Sequence, residues 1–187
     1  MSMPDCAPHF NARRWKSPNL AISSIAGNIE GHNVYVADLI LRRDRVAETV
    51  KELITEYQPD VVGLTAMSFQ FATARRIASL IKNLNKDIKI VLGGYHATLM
   101  YDEICKSEES EPFDFLVRGE GDICFTELLE AINGKRAIES VLGISFRNGG
   151  CFIHNSPRPL EDLSKIKIPD RSKRIWKGYQ YYGFTLD

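Results

Sequence analysis

Three short segments carry the residue types best suited to holding a ligand: Thr65-Ala66-Met67-Ser68-Phe69-Gln70, Gly93-Gly94-Tyr95-His96-Ala97-Thr98 and Arg118-Gly119-Glu120-Gly121-Asp122. Each follows an apolar run that reads as a strand. Adjacent glycines let a backbone approach a ligand closely, because no Cβ stands in the way. They also permit positive φ, so Gly93-Gly94 reads equally as a sharp turn. The hydroxyls of Thr65 and Ser68 suit hydrogen bonding to a ligand or capping of the next helix. Met67 and Phe69 suit a pocket lining or a plug for the sheet edge. Arg118 to Asp122 fits a ligand loop, or a tight turn with Asp122 as helix N-cap. His96 alone reads as an ordinary loop residue. The chemistry in view is binding, and no catalytic or metal-ligating residue is assigned.

Other chemistries lack their patterns. A nicotinamide-binding G-x-G-x-x-G needs a third glycine where Cys124 stands after Gly119 and Gly121. The phosphate-binding G-x-x-x-x-G-K-[ST] and the nucleophile elbow G-x-S-x-G are missing from the sequence. Cys6, Cys105, Cys124 and Cys151 are scattered with no C-x-x-C and no pattern for a zinc or iron–sulfur centre, and reduced thiols are expected rather than two disulfides. Lys+Arg and Asp+Glu both number 24, which gives no electrostatic case for nucleic acid or an anionic membrane. No apolar run approaches the roughly 18–20 residues of a membrane-spanning helix. The stretch from Met1 to Arg14 has no signal-peptide core. A soluble, cytoplasmic protein is expected.

Two periodicities alternate along the chain and must position those segments. Val34 to Leu39 reads as a short strand, and Val46, Val50, Leu53, Ile54 and Tyr57 share one helical face. Val61 to Thr65 and Ile88 to Leu92 are apolar on both faces, as in buried parallel strands. Ala74, Ile77, Ala78, Ile81 and Leu84 make a second helical stripe. A short helix is expected around Leu99 to Lys106. Phe113 to Val117 reads as a strand, followed by a stripe of Phe125, Leu128, Leu129 and Ile132. This alternation predicts an α/β fold with a doubly wound, mainly parallel sheet of the flavodoxin-like Rossmann kind.

Ile22, Ile25, Ala26 and Ile29 form a first helix, before which such folds place a central strand. Only Met1-Ser2-Met3 precedes Pro4-Asp5, so that strand is expected to be cut short. Residues 1–140 are read as the α/β domain. Residues 141–156 are a β-hairpin extension around Asn148-Gly149-Gly150. Residues 157–187 are a linker running over the surface.

Taken together, these segments resemble the N-terminal cobalamin (vitamin B12)-binding domain of B12-dependent radical SAM enzymes, the group of magnesium-protoporphyrin monomethyl ester cyclases and methyltransferases. The matching pieces are Pro18-Asn19-Leu20-Ala21 with Gly31-His32-Asn33-Val34 and Asp38, Pro59 to Leu64, Gly93 to Thr98, and Arg118 to Asp122. The stretches Arg158 to Leu163 and Ile168 to Arg171 resemble the family's linker to the catalytic barrel.

The resemblance implies cobalamin over the carboxyl ends of the strands. Thr65, Ala66, Met67, Ser68, Phe69, Gly93, Gly94, Tyr95 and His96 would contact it, and Gly119, Glu120 and Gly121 would border its nucleotide tail. The D-x-H-x-x-G motif, whose histidine ligates cobalt in other B12 domains, is missing: Asp5 and His9 have the wrong spacing. No histidine ligand from that motif is therefore expected. The C-x-x-x-C-x-x-C of a [4Fe–4S] cluster is also missing. The resemblance then implies a fragment, inactive alone, whose partner is a radical SAM domain carrying the cluster and S-adenosylmethionine. The alternative is a cofactor-free signalling or interaction domain of the receiver kind, although Thr65 occupies the expected phosphoacceptor region.

Overall fold

A computed structural model describes residues 1–5, 15–181 and 184–185. His9, the histidine of the imperfect metal-ligand motif, lies outside them. A short strand β1 (Trp15–Lys16) leads to helix α1 (Leu20–Asn28), which Asn19 caps by accepting the Ile22 N–H. Helix α2 (Val46–Tyr57), strand β2 (Val61–Thr65), helix α3 (Phe71–Leu84), strand β3 (Lys89–Gly93) and helix α4 (Tyr95–Lys106) follow. Then come strand β4 (Phe115–Val117), helix α5 (Gly121–Ile132) and the hairpin β5 (Ile144–Asn148) and β6 (Cys151–His154). Strands β7 (Gln180–Tyr181) and β8 (Phe184–Thr185) join β1 in a small antiparallel sheet.

The main sheet runs β2-β3-β4-β5-β6. β2, β3 and β4 are parallel, whereas β5 and β6 are antiparallel additions, with Val117 level with Ile144. Side chains alternate across the sheet and divide the core into two clusters. Val62, Leu64, Ile90, Leu92 and Leu116 pack against Val50, Ile54, Ala74, Ile77, Ala97 and Ile104 from α2, α3 and α4. On the opposite face, Val91, Val117 and Ile144 pack against Cys124 and Leu128 of α5. Helices therefore cover both faces, as the doubly apolar strands require. No helix among the described residues is long and apolar enough to cross a membrane.

The beginning of the chain takes part in the sheet through a few residues only. Met1–Met3 enters the sheet beside β2, and Ser2 forms parallel bridges to both Thr65 and Asp38. Ser2 N–H donates to Ala37 O at 3.1 Å, and Thr65 N–H donates to Met1 O at 3.1 Å. The terminal ammonium donates to Gly63 O at 2.6 Å. The strand expected over Val34 to Leu39 is reduced to single bridges at Val36 and Asp38. Ser2 meets it at Asp38 alone, and a 3-10 helix begins at Leu39.

The tail after the hairpin runs over the surface but is anchored. Arg158 pairs with Glu127 of α5 and, at 2.6 Å, with Glu161. Lys167 N–H donates to Asn28 Oδ1 at 3.0 Å, and Asp170 N–H donates to Ser23 O at 2.9 Å. A Cβ on Gly27 would collide with the Ile168 carbonyl, so the tail lies directly on α1. Arg174 then bridges in parallel to Val36.

Burying the Met1 amine lowers its pKa from 8.0 to about 6, with Asp38 opposing the shift. Between those values the unfolded chain binds the proton that the folded chain rejects, so stability rises with pH. The burials of His96 and His154 lower their pKa values from 6.5, which adds to the rise of stability with pH at the acid end of this window. The unfolding free energy in urea is expected to increase by about 2 kcal/mol from pH 6 to pH 8. Blocking the amine should flatten that slope.

Candidate cofactor site

The carboxyl ends of β2, β3 and β4 lie side by side, where open parallel sheets bind ligands. Gly94 occupies the tightest position. Its φ is +89°, and a Cβ there would lie 2.6 Å from Thr65 Oγ1 and 2.9 Å from Ala66 N. The turn reading of the glycine pair is met at Gly94, whose backbone needs positive φ and packs against the neighbouring strand end. Ala66 N–H donates to Gly93 O and His96 N–H donates to Ala66 O, each at 3.1 Å, so the two strand ends are joined.

The His96 segment is not a loop, as expected, but the first turn of α4, which begins at Tyr95. His96 Nδ1 lies 3.2 Å from Ser68 Oγ, and its ring packs on Phe71 with centroids 4.3 Å apart. Burial holds its pKa below the ordinary value, with Glu109 pulling the other way. Gln70 completes the second layer: its side chain accepts the Met67 N–H at 2.9 Å and donates to Asp5 O at 2.7 Å.

Thr98 connects the next strand end. Its hydroxyl donates to Gly94 O at 3.0 Å and accepts Gly119 N–H at 2.9 Å. Gly119 has φ +79° and open space where a Cβ would stand. Gly121 lies against α1, since a Cβ would be 3.0 Å from Ile25 Cδ1. Glu120, not Asp122, is the N-cap residue of α5. Asp122 instead accepts Ser24 Oγ at 2.5 Å, which ties α5 to α1. Arg118 turns away from the strand end, donates to Ile144 O at 2.9 Å and lies 4.5 Å over the Tyr101 ring.

A cavity of about 700 Å³ opens among these residues. That volume suits a large organic ligand. Thr65, Gly93, Gly94, Gly119, Glu120 and Gly121 line it. Ala66, Met67, Ser68, Phe69, Tyr95 and His96 are outside its lining; Met67, Phe69 and Tyr95 stand exposed by 45%, 48% and 60%, with Leu99 beside them at 57%. The expected residues thus divide into a pocket and an apolar outer rim. Sequence reading missed the opposite wall, made by Ile22 and Ile25 of α1 and Phe125 of α5. It also missed Thr98 as a connector, although a threonine shortly after paired glycines is a usable signal. Among the described residues no group of three or more His, Cys, Asp or Glu is placed to hold a metal.

A family model described as the B12 binding domain matches residues 13–129. The chain belongs to the B12-binding domain family. It is 32% identical over 154 residues to an uncharacterized methyltransferase of Pyrococcus horikoshii, covering 81% of this chain and 33% of the relative. It is 34% identical over 146 residues to the anaerobic magnesium-protoporphyrin IX monomethyl ester cyclase of Rubrivivax gelatinosus, covering 75% of this chain and 26% of the relative. The chain therefore spans a third or less of the length of these relatives. Its fold superposes with a TM-score of 0.68 on the radical S-adenosylmethionine methyltransferase TsrM of Kitasatospora setae, solved with cobalamin and a [4Fe-4S] cluster. That likeness covers 92% of this chain and 31% of the other, at 21% identity.

Thr98 makes a direct test of how this B12-binding domain fixes its strand ends. Thr98→Val keeps the shape and removes both hydroxyl bonds. Stability is expected to fall by about 1–2 kcal/mol. In hydrogen exchange, the Gly119 amide should lose protection well before the amides of β3.

Proposed function

We propose that this chain binds cobalamin at the carboxyl ends of β2, β3 and β4, as the cofactor-carrying part of a radical SAM methyltransferase or cyclase. The observation that carries this reading is the Gly93-Gly94 strand end packed on Thr65-Ala66 at the border of a 700 Å³ cavity, within a chain matched to the B12-binding family. Bound cobalamin supplies the capacity to accept and hand on a methyl group, or to exchange electrons.

The chain's own residues bind and orient. Thr65, Gly93, Gly94 and Gly119 to Gly121 would hold the nucleotide tail, where bare backbone and a hydroxyl face the cavity. Met67, Phe69 and Tyr95, with Ala66, Ser68 and His96 beneath them, would support the corrin. Exposed apolar side chains clustered at one sheet end are the kind of surface that another group covers. The sequence has no D-x-H-x-x-G motif, and cobalt is read as taking no histidine from that position. Cluster and S-adenosylmethionine chemistry is assigned to a radical SAM domain, as in TsrM, and the chain alone is read as non-catalytic. Substrate choice belongs with that domain.

The receiver-type alternative is weaker. Thr65 carries no carboxylate, and the buried Asp38 is already committed to Ser2 Oγ at 2.5 Å and Asn19 N–H at 3.0 Å.

Titration of the chain with hydroxocobalamin, followed by visible absorbance and calorimetry, should give one saturable site. Gly119→Ala is the informative variant, because space is open at Gly119 and the substitution meets only its positive φ. Stability should fall by about 1–2 kcal/mol. Affinity should fall at least about tenfold, the equivalent of 1.4 kcal/mol. Saturation of the folded chain that Gly119→Ala leaves unchanged would refute the placement of the tail, and no saturation would refute cobalamin binding.

A further inference from the structure

The two sides of the main sheet end differently. Beside β2, Ser2 bridges to Thr65 and Asp38, so that side is partly occupied. At the far side, β6 pairs with β5 alone. Soluble proteins usually blunt such an edge with lysine, proline or a bulge. Cys151-Phe152-Ile153-His154 has no lysine or proline, and its register with β5 is unbroken. Ile153 stands exposed on it.

The hairpin decides which backbone groups are free. Its two-residue loop, Gly149-Gly150, is closed by Asn148 opposite Cys151. A turn of this length makes that pair a hydrogen-bonded one, and bonded and non-bonded pairs then alternate. Phe146 and Ile153 are the next bonded pair. Asn155 N–H donates to Ile144 O at 3.0 Å, in the same phase. Arg147 N–H donates away from β6, to Asp114 O at 3.1 Å, as the non-bonded partner of Phe152 must. The N–H and C=O groups of Phe152 and His154 therefore point out of the sheet. Among the described residues no backbone group meets them.

Phe152 and His154 stand symmetrically about Ile153, so β6 is complementary to itself. In antiparallel pairing about a two-fold axis at Ile153, Phe152 faces the partner's His154, and that pair exchanges both of its bonds. The axis repeats the pair on the other side. Ile153 faces the partner's Ile153 as a close non-bonded pair, and Cys151 faces the partner's Asn155. Aromatic and β-branched residues suit such cross-strand contact, and no charged residue between Cys151 and Asn155 meets its like. The chain's 24 acidic and 24 basic residues give no net repulsion between copies. Pro157 ends the segment, since it has no N–H to continue a ladder.

We propose that β6 is a dimerisation edge, and that its partner is β6 of a second copy of this chain, joined antiparallel about Ile153 into one continuous sheet. β6 runs in the same direction as β2, β3 and β4, because two antiparallel steps separate it from β4. The two-fold axis reverses those strands in the partner. The two cofactor ends then fall on opposite rims of the joined sheet and stay open, so dimerisation and cofactor binding are independent. A five-residue strand pair is small beside the roughly 800 Å² per partner of a stable complex. The dimer is therefore reversible, with a Kd on the order of 100 μM.

The test uses the chain without cobalamin, across concentrations that bracket that Kd. Sedimentation velocity should show monomer passing to dimer. In hydrogen exchange over the same range, the Phe152 and His154 amides should slow at least about tenfold, while the Ile153 amide, already bonded to β5, stays unchanged. Ile153→Lys sets two ammonium groups face to face at the axis and should leave a folded monomer whose Phe152 and His154 amides remain fast. Ile153→Cys combined with Cys151→Ser should form an intermolecular disulfide on mild oxidation, because the Cα atoms of a non-bonded pair lie about 4.5 Å apart. Cys151 of the unaltered chain faces an asparagine and should not cross-link to its copy. A chain that is monomeric at every concentration would overturn the proposal. So would a dimer that Ile153→Lys leaves intact, or Ile153→Cys that fails to cross-link. Slow Phe152 and His154 amides in the monomer would show the edge held by another segment, and would overturn it too.

Discussion

Ser2 is held between two segments that do not bond to each other. Its N–H takes Ala37 O, its carbonyl takes Leu39 N–H, and its neighbours Met1 and Thr65 complete the other edge. Its hydroxyl donates to Asp38, whose carboxylate also accepts the N–H groups of Asn19 and Ile40. One buried carboxylate thus connects the central segment, the N-cap of α1 and the start of the 3-10 helix. An ionised group accepting several donors is among the stronger polar arrangements available in a protein interior. α1 forms one wall of the cavity and β2 supplies the Thr65 end, so the site depends on this junction for its width. The junction is also short, and the sheet around it has only single bridges on the Asp38 side.

At the cofactor end, packing and ligand access make the same demand on the backbone. Gly94 has no room for a Cβ because Thr65 and Ala66 press against it, whereas space is open where a Cβ of Gly119 would stand. Both adopt positive φ. The first glycine is required by packing and by its backbone angle, the second by its backbone angle alone, although they look alike in sequence. Thr98 links them through one hydroxyl, so movement at either strand end is felt at the other. The arrangement is rigid on one side and bare on the other, which suits recognition of an extended polar chain better than bond-breaking chemistry.

Much of the fold was legible because local and tertiary demands agree. The runs Val61 to Thr65 and Ile88 to Leu92 are apolar on both faces and fall in strands that pair in parallel, and Ala74, Ile77, Ala78 and Ile81 of the helical stripe are buried as expected, whereas Leu84 at its end is exposed. The misses share a physical cause, dependence on partners far away in sequence. Val34 to Leu39 has strand-like residues, but it bridges only at Val36, to the distant Arg174, and at Asp38, before a 3-10 helix begins. The helix at Tyr95 begins at Gly94, which has no side chain to advertise a cap. Arg158 is charged and reads as solvated, yet its side chain is only 8% exposed because Glu127 meets it from α5. The glycines and Thr65 marked the near wall of the cavity. Ile25 and Phe125 read only as core residues, because a helical stripe has the same pattern whether it faces a sheet or a void.

The cavity's two ends therefore ask for different things from one sheet. At the carboxyl end, strand ends separate and glycines leave backbone uncovered, so an opening costs little. Lower down, between Val34 and Val61, the same opening exposes ladder groups and apolar side chains from both helical layers. A sheet tolerates a gap above its strands far better than one within them, since only the latter removes hydrogen bonds and burial together. The width of the cavity at the strand ends is consequently governed from below. Val36, Gly63, Ile25 of α1 and the Gly94 strand end all line one cavity, so the spacing between Val36 and Gly63 bears on the room between α1 and that strand end.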